Sequence, residues 1–186
     1  NIRDIGVIMR FISTILIITI LAGGIVAQEL PSNFLFKRET GQKTGIPVFQ
    51  LIAHPDAIAY DAIYGNGFEA LGLTLQPERN IYGVSFMNAK RRYQISILKR
   101  KRCSLNLDGK IFNFRKVFTA TRNKVGKLRV EVVGYKINKE IYDKLVGANE
   151  VIARCGKVAY NLDKDNIDAI RYVAEEARKD LERRKK

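Results

Sequence analysis

Alternation of apolar and polar residues at period two is clearest in the second half of the chain. Tyr93, Ile95 and Ile97 alternate with Arg92, Gln94 and Ser96, which predicts a half-buried strand over Tyr93–Leu98. Cys103, Leu105 and Leu107 alternate with Ser104 and Asn106. Asp108-Gly109 interrupts them, and Lys110–Phe114 resumes the pattern. Asp-Gly between two such runs predicts a type I′ hairpin, because both central residues need positive φ. A two-residue loop sets the register: Leu107 opposite Lys110, Leu105 opposite Phe112, and Cys103 opposite Phe114. Cross-strand partners share a face, so Cys103 is expected on the apolar side.

Lys127–Ile137 reads as a further strand. Its apolar phase runs through Leu128, Val130 and Val132, then shifts to Tyr135 and Ile137, which predicts a bulge at Gly134. Val151, Ala153 and Cys155 alternate up to Gly156-Lys157, a Gly-X pair suited to a type II′ turn. Val158, Tyr160 and Leu162 follow. That register sets Cys155 opposite Val158 and Ala153 opposite Tyr160.

Two segments change period. Asn138 is the expected N-cap of a short helix carrying Ile141, Leu145 and Ala148, with Ile137 stapled onto Tyr142. Asp163 is the expected cap of a longer one, whose stripe is Ile167, Ile170, Ala174, Ala177 and Leu181. Asp165 and Asp168 near its start and Arg178, Lys179 and Arg183 near its end suit the helix dipole.

The first half is less regular. Val48–Ala53, Ala70–Leu75 and Ile81–Met87 are candidate strands. Pro55–Tyr64 is a candidate short helix ended by Gly65-Asn66-Gly67. Residues 28–47 carry Pro31, Gly41, Gly45 and Pro47 and read as an extended lead-in. The expected fold class is α+β: a mainly antiparallel sheet of six to eight strands, with two helices of the C-terminal half packed on one face. The alternative is a β-sandwich with one C-terminal helix. Residues 48–186 are expected to form a single domain.

The N-terminal region assigns a compartment. Met9-Arg10 precedes the apolar run Phe11–Ala22, then Gly23-Gly24 and a small residue, Ala27. That layout is a secretory signal peptide over residues 9–27, with residues 1–8 an upstream extension. Cleavage after Ala27 would send the rest to the periplasm or the exterior. The alternative is an uncleaved N-terminal membrane anchor, although the run is short for a span of ~20 residues.

Charge adds a candidate surface. The chain carries 33 Lys and Arg against 19 Asp and Glu, a net +14. A charge that size attracts anions. Lys90, Arg91 and Arg92 precede the expected Tyr93–Leu98 strand, and Lys99, Arg100, Lys101 and Arg102 follow it. The two groups would mark its ends, roughly 25 Å apart at strand rise. Together with Arg115, Lys116 and the C-terminal tail they would line an anion-binding stripe for an acidic envelope polymer or a membrane surface. Export disfavours nucleic acid as the partner. The plain alternative is a solvated cationic face.

Cys103 and Cys155 are the chain's two cysteines. In an oxidising compartment they are expected to pair, closing a loop of about 50 residues worth roughly 4 kcal/mol in the chain-entropy model. With a single His, a Cys/His metal site is not expected. Gly65–Ala70 matches G-x-G-x-x-A, but an extended stretch follows it. It reads as a glycine turn, and no nucleotide cofactor is expected. His54, Asp56, Tyr60, Asp61 and Tyr64 are the one cluster suited to acid–base work. They carry the reading of a small hydrolase; the alternative is a loop His before a helix start. The functional expectation is an exported, non-catalytic domain, binding or structural. The anion binder and the His54 hydrolase are its alternatives.

Overall fold

Two antiparallel sheets and two principal helices form an α+β fold in the computed structural model, which describes residues 30–41, 45–54, 56–58, 68–91, 96–98, 102–125 and 128–185. The large sheet has the spatial order β1 (Phe34–Thr40), β2 (Pro47–Ala53), β3 (Phe68–Gln76), β4 (Ile81–Arg91), β8 (Leu128–Ile137), β7 (Val117–Val125). The small sheet has the order β10 (Val158–Asn161), β9 (Val151–Cys155), β5 (Cys103–Leu107), β6 (Lys110–Phe114). Helix α1 spans Lys139–Gly147 and α2 spans Lys164–Arg184. The strands thus divide between two sheets, where the pattern alone suggested one.

The core lies on one face of the large sheet. Leu73, Val84 and Tyr135 form one cross-strand row and Leu71, Phe86 and Val133 the next, all buried. Burying side chains of this size contributes roughly 1.5–3 kcal/mol each. The small sheet covers the β4–β8 side of this face. Its Phe114 ring lies 6.1 Å from Phe86 and 5.4 Å from Tyr135. Helix α2 covers the β1–β2 side, where Tyr172 meets Phe36 edge-on at 5.6 Å and Arg38 pairs with Asp180 at 2.7 Å. Helix α1 stacks Tyr142 on Tyr82 at 4.5 Å.

Local chemistry explains the elements that periodicity predicted. Asp108 (φ 48°) and Gly109 (φ 89°) are both left-handed, as type I′ requires. Gly156 has φ 62° at the first position of the second hairpin loop. The registers at Cys103, Leu105, Leu107, Ala153 and Cys155 are those expected. Asn138 Oδ1 accepts from Ile141 N–H at 2.9 Å, and Asp163 Oδ1 accepts from Asn166 N–H at 2.8 Å, so both helices start at their expected caps.

Several expectations are corrected. Residues 34–40 are not lead-in; they form β1, paired with β2 along its whole length. Its Lys37-Arg38-Glu39 run hides the alternation of Phe34 and Phe36. Strands β3 and β4 are longer than expected and are joined by a 3-10 turn at Pro77–Arg79 with Asn80 in the left-handed region. Of Tyr93–Leu98, residues 93–95 lie outside the described residues, while Ser96–Leu98 is a bend, not a strand. There Ile97 is drawn into the core and Ser96 turns to a buried carboxylate. Of Pro55–Tyr64, only Asp56–Ile58 is described, as one helical turn.

The bulge is also relocated. Strand β8 pairs with β4 without interruption, and the irregularity sits in β7, between Val117 and Thr119. The core-facing residues of β8 are Glu131, Val133, Tyr135 and Ile137, an unbroken alternation with a carboxylate in it. Gly134 is needed for close approach: a Cβ there would lie 2.6 Å from Thr119 Cγ2.

Strand β2 pairs with β3 only from Phe49–Leu75 to Leu51–Leu73. Beyond that point Asn166 of α2 substitutes for the missing strand. Its Oδ1 accepts from Leu71 N–H and its Nδ2 donates to Leu71 O, both at 3.0 Å. Tyr160 of β10 donates its hydroxyl to Ala70 O at 2.9 Å. Burial raises the Tyr160 pKa far above the ordinary phenol value.

Candidate functional site

Polar groups concentrate at the end of the large sheet where β4, β8 and β7 run together. Continuing the core-face rows past Leu71, Phe86 and Val133, the next row is Glu69, Asn88, Glu131 and Arg122. Glu131 is 1% exposed. Its oxygens accept from Ser96 Oγ at 2.8 and 2.9 Å, Ile97 N–H at 2.8 Å, Arg122 Nε at 2.9 Å and Arg129 Nε at 3.1 Å. Arg122 Nη2 also donates to Ser96 Oγ at 3.1 Å. Burying a carboxylate is tolerable only with this degree of pairing and hydrogen bonding. The arrangement is a clasp. It fastens β7 and the Ser96–Leu98 bend to β8, and it leaves the carboxylate no open position for acid–base chemistry. Beside it Asn88 is buried, with no hydrogen-bond partner for its Oδ1 among the described residues.

One row further along the same strands, Lys90 pairs with Arg129 and Arg129 with Lys124. Three cations therefore occupy adjacent register positions across β4, β8 and β7. Like charges in that arrangement oppose sheet formation. The neighbouring carboxylate, Glu131, is already shared between Arg129 and Arg122.

Lys90 and Arg91 end β4, at the cationic end of the sheet, although their side chains lie outside the described residues. Arg92, Lys99, Arg100 and Lys101 also lie outside them. Arg102 is exposed, directly before β5, and its carbonyl accepts from Gly156 N–H at 3.0 Å. Arg115 and Lys116 are exposed and lead into β7. Sequence reasoning missed Glu131, Arg122 and Arg129. Their signal was available in the Glu131–Val133–Tyr135–Ile137 alternation, once a carboxylate is admitted at a core position.

Cys103 and Cys155 are directly opposed on β5 and β9 and joined by a disulfide. Both are buried, at 3% and 1% exposure, and Tyr135 Oη donates to Cys103 Sγ at 3.3 Å. Burial raises the Tyr135 pKa, and a hydrogen bond from the Cys103 backbone opposes that shift. The bridge thus sits where the small sheet meets the large one.

His54 follows β2. Its Nδ1 accepts from Asp56 N–H at 3.2 Å and lies 3.7 Å from Asp56 Oδ2, and its carbonyl accepts from Ile58 N–H at 3.1 Å. This is the geometry of a cap on the Asp56–Ile58 turn. Tyr60, Asp61, Tyr64 and the Gly65–Gly67 turn lie outside the described residues. Among the described residues no group of three His, Cys, Asp or Glu is placed to hold a metal ion. No helix among them is long and apolar enough to cross a membrane. No protein-family model matches the chain, and no curated protein or solved structure is significantly similar to it.

Proposed function

We propose that the chain is exported and acts as a non-catalytic domain that binds an anionic partner at the cationic end of its large sheet. The observation that carries this is the row Lys90–Arg129–Lys124, three like charges at successive register positions. Such a row costs stability, and an anionic partner offsets the cost. Two features support export: the signal-like segment over residues 9–27 and the buried disulfide, which suits an oxidising compartment. The non-catalytic reading is supported by how the polar groups are used. Glu131 is saturated by its clasp, and His54 Nδ1 caps a turn.

The test separates charges kept for binding from charges kept for folding. Polyglutamate is titrated onto the disulfide-bonded chain and onto a Lys90→Gln, Lys124→Gln double variant. The parent binds, and added salt weakens it steeply. The variant binds about tenfold more weakly, a loss of about 1.4 kcal/mol. Its melting temperature is unchanged or higher, because repulsion is relieved. A variant that melts earlier and binds as the parent does contradicts the proposal.

A further inference from the structure

Among the described strands, β7 is the terminal one of the large sheet and pairs only with β8. In a covered strand, exposure alternates. In β7 every residue from Phe118 to Asn123 is exposed, so the strand overhangs the core on both faces. Alternate residues of an edge strand direct N–H and C=O away from their neighbour, and here no described strand receives them. The nine-residue strand is about 30 Å long, and its outward-directed backbone groups have no strand partner among the described residues. Val117, Phe118, Thr119, Thr121 and Val125 all favour extended backbone.

Two further observations select the occupant. From Arg115 to Lys136 the sequence carries the cations Arg115, Lys116, Arg122, Lys124, Lys127, Arg129 and Lys136 and one carboxylate, Glu131. That carboxylate is buried and already paired. A second copy pairing through β7 would bring these cations against their equivalents, which disfavours a homodimer. At the bulge, Phe118 stands 69% exposed with Lys136 Nζ 5.0 Å from its ring centroid. An exposed aromatic and backbone carbonyls alternating with the N–H groups have little to offer a simple polyanion, which brings no donors. Both suit a peptide.

We infer that β7 accepts an extended acidic segment of a partner protein by strand addition, with Phe118 as the apolar anchor; this names the partner of the anion-binding role proposed above and rests on it. Cross-strand partners share a face. Carboxylates at every second residue of the incoming strand therefore fall at the register positions of Arg122 and Lys124, and main-chain hydrogen bonds supply the rest.

The experiment uses the full disulfide-bonded chain and three probes of similar charge: a nine-residue peptide alternating Thr and Glu, a peptide of the same composition with its Glu residues in one block, and polyphosphate. Binding is measured by calorimetry and amide protection by hydrogen exchange. The alternating peptide should bind tightest and protect β7 amides. Phe118→Ala, an exposed site that leaves the fold intact, should weaken it about tenfold. Equal binding by polyphosphate or the block peptide, with β7 amides unprotected, overturns strand addition while leaving the anion-binding proposal standing. Failure of all three probes to bind overturns both.

Discussion

Glu131→Gln is the substitution that best probes how this end of the sheet is held. Glutamine keeps the shape and one acceptor oxygen. It replaces the other oxygen with a donor facing two guanidinium groups and a hydroxyl, and it removes the charge from both ion pairs. Arg129, 19% exposed at its side chain, is left without its carboxylate in a mostly buried setting. Breaking one side of a buried pair costs about 3 kcal/mol. In a domain of this size that lowers the melting temperature by about 6–12 °C. Arg122→Gln should cost less, about 1 kcal/mol, because that side chain is 46% exposed and water replaces part of its pairing. Urea unfolding with the disulfide intact gives both values, and an unchanged slope shows that the stability itself has moved. Hydrogen exchange supplies a local check: the Ile97 amide, bonded to Glu131 Oε2 at 2.8 Å, should lose protection in Glu131→Gln. A cost within 1 kcal/mol of zero, or an Ile97 amide as protected as before, would refute the clasp.

Three other outcomes follow from the same physics. Replacing Cys103 and Cys155 together by Ala removes a cross-link with a sequence separation of 52 and should cost about 4 kcal/mol in urea unfolding; equal midpoints for the two chains would show the bridge to be idle. Asn166→Ala leaves Leu71 N–H and C=O without a partner inside the protein and should cost about 2–3 kcal/mol, measured the same way; a loss below 1 kcal/mol would mean the edge of β3 has another partner. Burial pushes the Tyr142 pKa up to about 12, helped by Tyr82 and Asp143, and raises those of Tyr135 and Tyr160. A raised phenol pKa favours folding below pH 10 and loses that contribution as pH climbs to about 12. The Tyr142 ring signals, followed by NMR, should show ionisation only near pH 12 or with alkaline unfolding, and ionisation of Tyr142 near pH 10 in a folded chain would contradict this.

What could be read from the residues depended on how far apart the deciding groups stand. Asp108-Gly109, Gly156-Lys157, Asn138 and Asp163 act on neighbours a few positions away, so both hairpins and both helix starts were legible. The hairpin registers in turn put both cysteines on core faces, where the disulfide lies. Strand β7 was not legible, because a strand exposed on both faces carries no period-two signal. Strand β1 was obscured by Lys37-Arg38-Glu39, and Arg38 there is partnered by Asp180, far along the chain. Glu131 was misread for a similar reason. The nearby residues made Val130 and Val132 look like the core phase. The groups that make a buried carboxylate tolerable, Ser96, Ile97 and Arg122, come from other parts of the fold. Of the candidate site, Lys90 and Arg91 were named from sequence; the alignment of Lys90 with Arg129 and Lys124 needed the sheet order.

Export joined to an oxidised fold is the premise under the binding role. Mass spectrometry of the chain purified from its own cells, digested without reductant, tests that premise most directly. It should find an N-terminus at Gln28 and the Cys103 and Cys155 peptides linked. A chain recovered from the cytosol that retains Phe11–Ala27 and alkylates at both cysteines would contradict it.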